Sequence, residues 1–397
     1  MKGLFILYHY PPIIEGVSPA SSIQNLRFMS GLELKGIDYT IIRKGSGDNV
    51  EDKRVLSINS FSPRIPRAIA KHILPDLDNI PDMERFIWAR KIIKQLNKIK
   101  ISDYHWVHTT CSPYSNHLIG LYIKKKFGLP WIAQFYDPWV DNPYREFQYD
   151  FFRKLDKKYE AMVAEKSDII ILSNDIVKEK WIERYGSNIK NKIFILPFCT
   201  DPFIKVNKQK TINKKLILLH VGGIYGKRNL EELVKAITGL KNEIEELETK
   251  IEIRLVGSVT KSEIARINDK KLENLFHLYG KKDYSFVQSQ LNSADMLLVI
   301  DSLQNNYNVH FPSKLVEYFS YQKPIIGITP KNSATNCLLQ EAGHFVFHKG
   351  QSEGLKQYLK EAIYDKNPIN SFNKDFYKLF HPNNVVKNYC EIINKFL

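Results

Sequence analysis

Phe311-Pro-Ser-Lys-Leu-Val-Glu-Tyr-Phe-Ser-Tyr-Gln-Lys-Pro-Ile-Ile-Gly-Ile328 sets a loop, a helix with a single carboxylate and a buried strand in direct succession. Pro312, Ser313 and Lys314 open the helix, and the N–H groups of a first helical turn lack partners within the helix, which suits them to an anion. Glu317 follows one turn in, where a carboxylate can accept hydrogen bonds from sugar hydroxyls. Lys323-Pro324 ends the helix, and Ile325–Ile328 is the short apolar run of a strand covered on both faces. The ligand expected at such a corner carries both phosphate and sugar.

Outward from this corner the same alternation fills the chain. Apolar runs at Leu4–Tyr8, Tyr39–Ile42, Trp106–His108, Trp131–Phe135, Ile169–Leu172, Ile193–Leu196, Leu216–His220, Ile251–Val256 and Met296–Ile300 are separated by segments of helical spacing. That is the pattern of an α/β protein with parallel sheets and helical crossovers. A chain of 397 residues exceeds one ordinary core and suits two domains of about 200 residues each. The polar, basic stretch 201–215 is read as the linker, with an N-terminal domain at 1–200 and a C-terminal domain at 216–380. Residues 381–397 begin with Pro382 and a candidate asparagine cap, then repeat apolar positions as a helix does.

Fifty-eight basic against forty-three acidic residues give a formal charge of +15, which favours anionic partners: phosphorylated substrates, an acidic membrane surface or nucleic acid. Cys111, Cys199, Cys337 and Cys390 are scattered, so a reduced cytoplasmic setting is expected rather than a disulfide scaffold. No apolar run approaches the ~20 residues of a membrane-spanning helix, and Met1 to Tyr8 reads as a first strand rather than a signal peptide.

A second phosphate-binding signal lies at Lys215 to Ala236, which reads as strand, glycine loop and helix. Gly222, Gly223 and Gly226 let a ligand approach the backbone, Lys227 and Arg228 bring positive charge, and Asn229 with Glu232 has capping-box spacing. The spacing departs from Gly-x-Gly-x-x-Gly, so a nicotinamide cofactor is not favoured. A tight turn that merely needs glycine explains this loop equally well when it is taken without Glu317.

At these residues the chain resembles the retaining family 4 glycosyltransferases of GT-B fold, whose donor loop reads Pro-Ser-Lys, two apolar residues, Glu-Tyr, then Lys-Pro. The resemblance extends to Tyr10-Pro11-Pro12, Ile80-Pro-Asp82 with Trp88, Ser112-Pro113 with His117, and Pro130-Trp-Ile-Ala-Gln-Phe-Tyr-Asp-Pro-Trp139. It implies two Rossmann-like domains facing across a cleft, with residues 381–397 crossing back to the N-terminal domain. It also implies transfer of a sugar, with retained configuration, from a nucleoside diphosphate to a hydroxyl of a saccharide or lipid-linked acceptor. A UDP-sugar is the favoured donor, and no metal or other cofactor is implied. The expected setting is assembly of a surface polysaccharide or glycolipid at the inner face of the cell membrane.

By the same resemblance, Gly223, Lys227, Arg228, Gly257, Gly280, Ser313, Lys314, Leu315 and Glu317 bind the donor. Tyr136, Asp137 and Glu317 form the catalytic centre, and Gly16 and His117 face the acceptor. Three positions depart from the family pattern. Arg228 stands where a lysine is usual, Gly223 where many members carry arginine, and Val309 where the first of two donor-loop glutamates is expected. Asp137 reads equally as a cap of the following turn, and His117 equally as a helix residue packed beneath the site.

Other signals carry less. Asp76-Leu-Asp78 lies among prolines rather than at a strand end, and alternation points His105 and His108 to opposite faces of a strand, against a shared metal. Phe86 to Lys100 is basic and apolar at helical spacing, which suits an anionic membrane surface or an ordinary domain helix with solvated lysines. Two further functions stay open: a nucleotide-sugar epimerase of the same fold, and a nucleic-acid-binding protein. The dispersed basic residues speak against nucleic acid.

Overall fold

The computed structural model describes residues 1–11, 20–45, 52–59, 76, 82–142, 145–204, 206, 215–303, 307–309, 312–364 and 372–396. The chain divides into two compact units, Met1–Pro202 with Leu379–Leu397, and Phe203–Lys378. Most of the stretch read as a linker, like Gly16, lies outside the described residues.

The first unit is built on a seven-stranded sheet in the order β3-β2-β1-β4-β5-β6-β7. Its strands are β1 (Lys2–Ile6), β2 (Asp38–Lys44), β3 (Val55–Ile58), β4 (Trp106–Cys111), β5 (Trp131–Phe135), β6 (Ile169–Leu172) and β7 (Ile193–Ile195), and every pairing is parallel. Parallel strands need crossovers, and helices such as Ala20–Leu34 and Asn116–Phe127 supply them. Both faces of the sheet are covered, so β6 and, after Lys2, β1 are apolar throughout, while β4 and β5 bury the polar His108, Thr109, Thr110 and Gln134 among apolar neighbours.

The helix Pro382–Asn394 completes this core. Val385, Val386, Tyr389, Ile392 and Ile393 are buried in one cluster with Phe5, Phe28, Leu32 and Trp106. A Cβ at Gly31 would lie 2.6 Å from a methyl of Val386, so glycine lets the two helices approach closely. The Tyr389 hydroxyl is 2.7 Å from His108 Nδ1 and accepts from the Trp106 indole at 3.2 Å. The helix is capped by His381, whose Nδ1 accepts the Asn383 N–H at 3.3 Å, rather than by an asparagine.

The second unit holds a six-stranded sheet ordered β10-β9-β8-β11-β13-β15 and a two-stranded one, β12-β14. The strands are β8 (Leu216–Val221), β9 (Ile251–Val256), β10 (Phe276–Gly280), β11 (Met296–Ile300), β12 (Tyr307–Asn308), β13 (Ile325–Ile328), β14 (Asn332–Ser333) and β15 (Phe345–Phe347), again all parallel. Helices Glu231–Glu243 and Ser352–Tyr364 bury their apolar sides in its core. The capping box read at Asn229 and Glu232 gives way to another arrangement. Glu263, from a neighbouring helix, accepts the Leu230 N–H at 2.8 Å, and Asn229 accepts the Glu231 N–H at 3.0 Å.

The basic helix Met83–Gln95 buries Trp88, Ala89 and Ile92 and exposes Ile87, Arg90 and Lys94. Among the described residues no helix is long and apolar enough to cross a membrane.

Candidate functional site

In the second sheet the chain order reverses between β8 and β11, and such a reversal opens a crevice at the carboxyl ends of the strands. β8 and β9 stay paired from Leu216 to Val221, whereas β8 and β11 pair only at Leu218–Leu219 with Met296–Leu297. Beyond that point side chains replace the ladder. His220 Nδ1 lies 2.9 Å from the Leu298 carbonyl, and the Val221 N–H donates to the Tyr318 hydroxyl at 2.7 Å.

The glycines predicted to meet a ligand line the adjoining strand ends. Gly222 has φ +129°, the Gly222 N–H donates to the Val256 carbonyl at 2.7 Å, and the Gly257 N–H donates to the Gly280 carbonyl at 2.8 Å. A Cβ at Gly257 would stand 2.3 Å from the Gly222 carbonyl oxygen, so glycine is required there by backbone contact. Gly223 follows at the tip of the same loop.

Three cations approach this loop: Lys227, Arg228 and Lys314. Arg228 forms a backbone bridge with Ser302, and its Nε, shielded from solvent, has no hydrogen-bond partner among the described residues. Lys314 comes from the first turn of the helix Ser313–Ser320, and its Nζ rests 3.2 Å from His220 Nε2. Burial, then the neighbouring Arg228 guanidinium, lowers the Lys314 pKa to about 7, with Asp301 opposing. Like charges held close together are costly alone, and an anion between them offsets that cost.

The same helix has Pro312 at its N-cap without a side-chain cap, buries Leu315, and carries Glu317, which accepts the Tyr284 hydroxyl at 2.9 Å. Asp301 at the end of β11 accepts from the Ser302 N–H and the Asn308 amide, both at 2.7 Å. Val309, where the resemblance expects a glutamate, is buried. Asn305, Asn306 and His310 fall outside the described residues.

Gly223, Lys227, Arg228, Gly257, Gly280, Ser313, Lys314, Leu315 and Glu317 thus gather at the carboxyl edge of one sheet. His220, Asp301 and Tyr318 belong to the same corner and were not singled out from sequence. The signal available for His220 was its position, two residues before the glycine pair in an otherwise apolar strand.

In the first unit, Tyr136 and Asp137 follow β5. Tyr136 is buried, donates to the Asn25 side-chain oxygen at 2.9 Å, and has its phenol pKa pushed well up by burial. Asp137 is partly buried, with its carbonyl 3.5 Å from the Cys111 sulfur. His117 has no solvent exposure: its Nδ1 is 2.8 Å from the Thr109 hydroxyl, its ring stacks beside Trp139, and burial lowers its pKa to about 3. The ring is therefore neutral, and its buried Nε2 has no hydrogen-bond partner among the described residues. Asp82 accepts the Tyr114 and Ser115 N–H groups at 2.6 and 3.3 Å and so caps the entry to the helix Asn116–Phe127. Asp76 likewise accepts two backbone N–H groups, from Gln148 and Tyr149. Among the described residues no group of three His, Cys, Asp or Glu is placed to hold a metal.

Residues 203–378 match the family model described as glycosyl transferases group 1, and these bounds coincide with the second unit. No curated protein matches the chain in sequence. Among solved structures it is similar to sucrose-phosphate synthase from Thermosynechococcus elongatus, with TM-score 0.70 and 14% identity over 99% of this chain and 98% of that one. It is also similar to Anabaena Alr3699/HepE in complex with UDP, with TM-score 0.69 and 12% identity over 100% of both chains. A glycosyltransferase from Rickettsia africae gives TM-score 0.67 and 15% identity over 100% of this chain and 98% of that one. The chain shares their α/β architecture of two Rossmann-like parallel-sheet domains, the GT-B fold.

Proposed function

We propose that the protein is a retaining glycosyltransferase of family 4 type that moves a sugar from a nucleoside diphosphate, uridine diphosphate first, to a hydroxyl acceptor. The observation that carries this reading is the corner formed by Gly222, Arg228 and Lys314. Two cations stand close together at a glycine loop, Lys314 with its amine withdrawn from solvent and Arg228 with an Nε that has no hydrogen-bond partner among the described residues. A diphosphate leaving group develops negative charge in the transition state, and preorganised cations and free N–H groups are what stabilise it. Glu317 orients the sugar hydroxyls, Asp137 and Tyr136 in the first unit join it in the catalytic centre, and Gly16 and His117 face the acceptor.

In this proposal the reaction needs no metal or other cofactor beside its two substrates, because Arg228, Lys314 and the helix N-terminus take the part of a cation. The acceptor is a saccharide or lipid-linked saccharide of a surface polysaccharide or glycolipid. The exposed basic side of Met83–Gln95 then serves a peripheral contact with an anionic membrane surface on the cytoplasmic side. Nucleic acid is not the partner.

The test is thermal-shift binding of uridine, guanosine and thymidine diphosphates without added metal, since a bound ligand raises the melting temperature by mass action. A shift with one of them is expected. No shift with any, alongside stabilisation by a polyanionic nucleic acid, would overturn the reading.

A further inference from the structure

His220 is a buried group at the donor corner that the proposed reaction leaves unused. It is the penultimate residue of β8, has no solvent exposure and bridges two elements through its ring: Nδ1 lies 2.9 Å from the Leu298 carbonyl and Nε2 3.2 Å from Lys314 Nζ. A carbonyl can only accept, so Nδ1 carries the ring proton and Nε2 is left as an acceptor. Burial, with the neighbouring ammonium, holds the imidazole pKa well below its ordinary value, so the ring stays neutral in this tautomer.

The Lys314 amine is also seated on the glycine loop, where a Cβ at Gly222 would come within 2.8 Å of Nζ. It therefore has a fixed station, with an imidazole nitrogen on one side and backbone free of side chain on the other. Arg228 and Asp301 are the charged groups that act on it. A lysine ammonium is a point charge on a flexible stem, so its use in a precise site depends on something that holds it.

We propose that His220 is a positioning residue for the donor diphosphate: its Nε2 holds the Lys314 ammonium against Gly222, where the phosphate oxygens meet it. This inference rests on the donor-site reading above. It assigns the ring two tasks, tying β8 to Leu298 and stationing Lys314, and two side chains separate them. Asparagine places an amide nitrogen near the Nδ1 position and keeps the Leu298 bond, with nothing at Nε2. Glutamine reaches the Nε2 position with an acceptor oxygen.

The experiment is calorimetric titration of the full chain with uridine, guanosine and thymidine diphosphates between pH 6 and 9, with the melting temperature of each variant recorded. For the diphosphate that binds, His220→Asn is expected to weaken affinity about tenfold, the scale of one charge-assisted hydrogen bond. The fall of affinity with rising pH is expected to begin at lower pH in that variant, because the ammonium has lost an acceptor. His220→Gln should recover most of the affinity, and His220→Asn should add little loss in a Lys314→Met background, since both act on one contact.

A folded His220→Asn protein with wild-type affinity, or with weaker affinity but an unmoved pH dependence, would reduce the ring to a strand bridge and overturn the proposal. If that variant does not fold, Gly222→Ala displaces the amine with His220 intact, and wild-type binding by it overturns the proposal equally. A wild-type protein that binds none of the three diphosphates refutes the donor reading itself, before any variant is compared.

Discussion

The Tyr318 hydroxyl accepts the Val221 N–H at 2.7 Å, which ties the helix bearing Lys314 and Glu317 to the strand that feeds the glycine loop. The bond stands where the β8–β11 ladder has already stopped. Burial raises the phenol pKa, with nearby Glu317 adding to the rise, so the hydroxyl stays protonated. Tyr318→Phe leaves the Val221 donor without that partner and is expected to lower stability by about 1–3 kcal/mol. Thermal denaturation reads that loss, and diphosphate titration should show weaker binding in the folded fraction.

Lys314 makes donor binding depend on pH. Its pKa lies near 7 in the free protein, below the ordinary 10.5, and a bound diphosphate favours the ammonium. Affinity for uridine diphosphate should therefore be highest below pH 7 and decline as pH rises above it, with proton uptake on binding. Calorimetry in two buffers of different ionisation enthalpy measures that uptake, which Lys314→Met should abolish.

The same lysine makes folding less favourable near neutrality. The unfolded chain binds more protons than the folded one between about pH 7 and 10.5, so the cost is full below pH 7 and is relieved as pH rises toward the unfolded value. Lys314→Met is expected to raise the melting temperature at pH 7 and to lose that advantage toward pH 10. Stability gained with binding lost is the mark of a charge kept for function.

Kinetics should separate the two units. Arg228→Ala is expected to lower both donor affinity and turnover, with turnover reduced about a hundredfold as for other preorganised transition-state donors. Glu317→Ala should lose turnover with the nucleotide still bound, because its partner is the sugar. Asp137→Asn should likewise leave diphosphate titration unchanged while sugar transfer falls. Unchanged turnover in all three folded variants would dismiss the site.

Gly257 is held by backbone alone. Its φ of +140° and the 2.3 Å that would separate an added Cβ from the Gly222 carbonyl oxygen leave no side chain to give way. Gly257→Ala should destabilise the second unit by about 2–4 kcal/mol, within the range of strained backbone substitutions, visible as a lower urea midpoint.

Much of this was legible because buried parallel strands announce themselves as unbroken apolar runs. Ile251–Val256, Met296–Ile300 and Ile325–Ile328 fall as read. What escaped lies at or near sheet edges. β3 beside Arg54, and β15 at Phe345–Phe347, are short and partly exposed, so periodicity has too few residues to work on. At the site, motif spacing found the glycines and the Pro-Ser-Lys turn. It missed His220 and Asp301, because one polar residue at the end of a buried strand looks like a tolerated exception until the neighbouring strands are seen to diverge. The helix start near Asn229 was read within two residues, but its hydrogen bonding was not: Glu263, thirty-three positions from Leu230, accepts the N–H of that N-cap residue, and local spacing cannot reveal a distant partner.

The helix Pro382–Asn394 also sets an order of events in synthesis. Tyr389 and its neighbours fill the core of the first unit, yet they leave the ribosome only after the whole of Phe203–Lys378 has been made. At about 5–20 residues per second, the earlier-made sheet waits on the order of ten seconds or more with its Trp106 and His108 face uncovered. The half of the protein translated first is therefore the half whose core closes last.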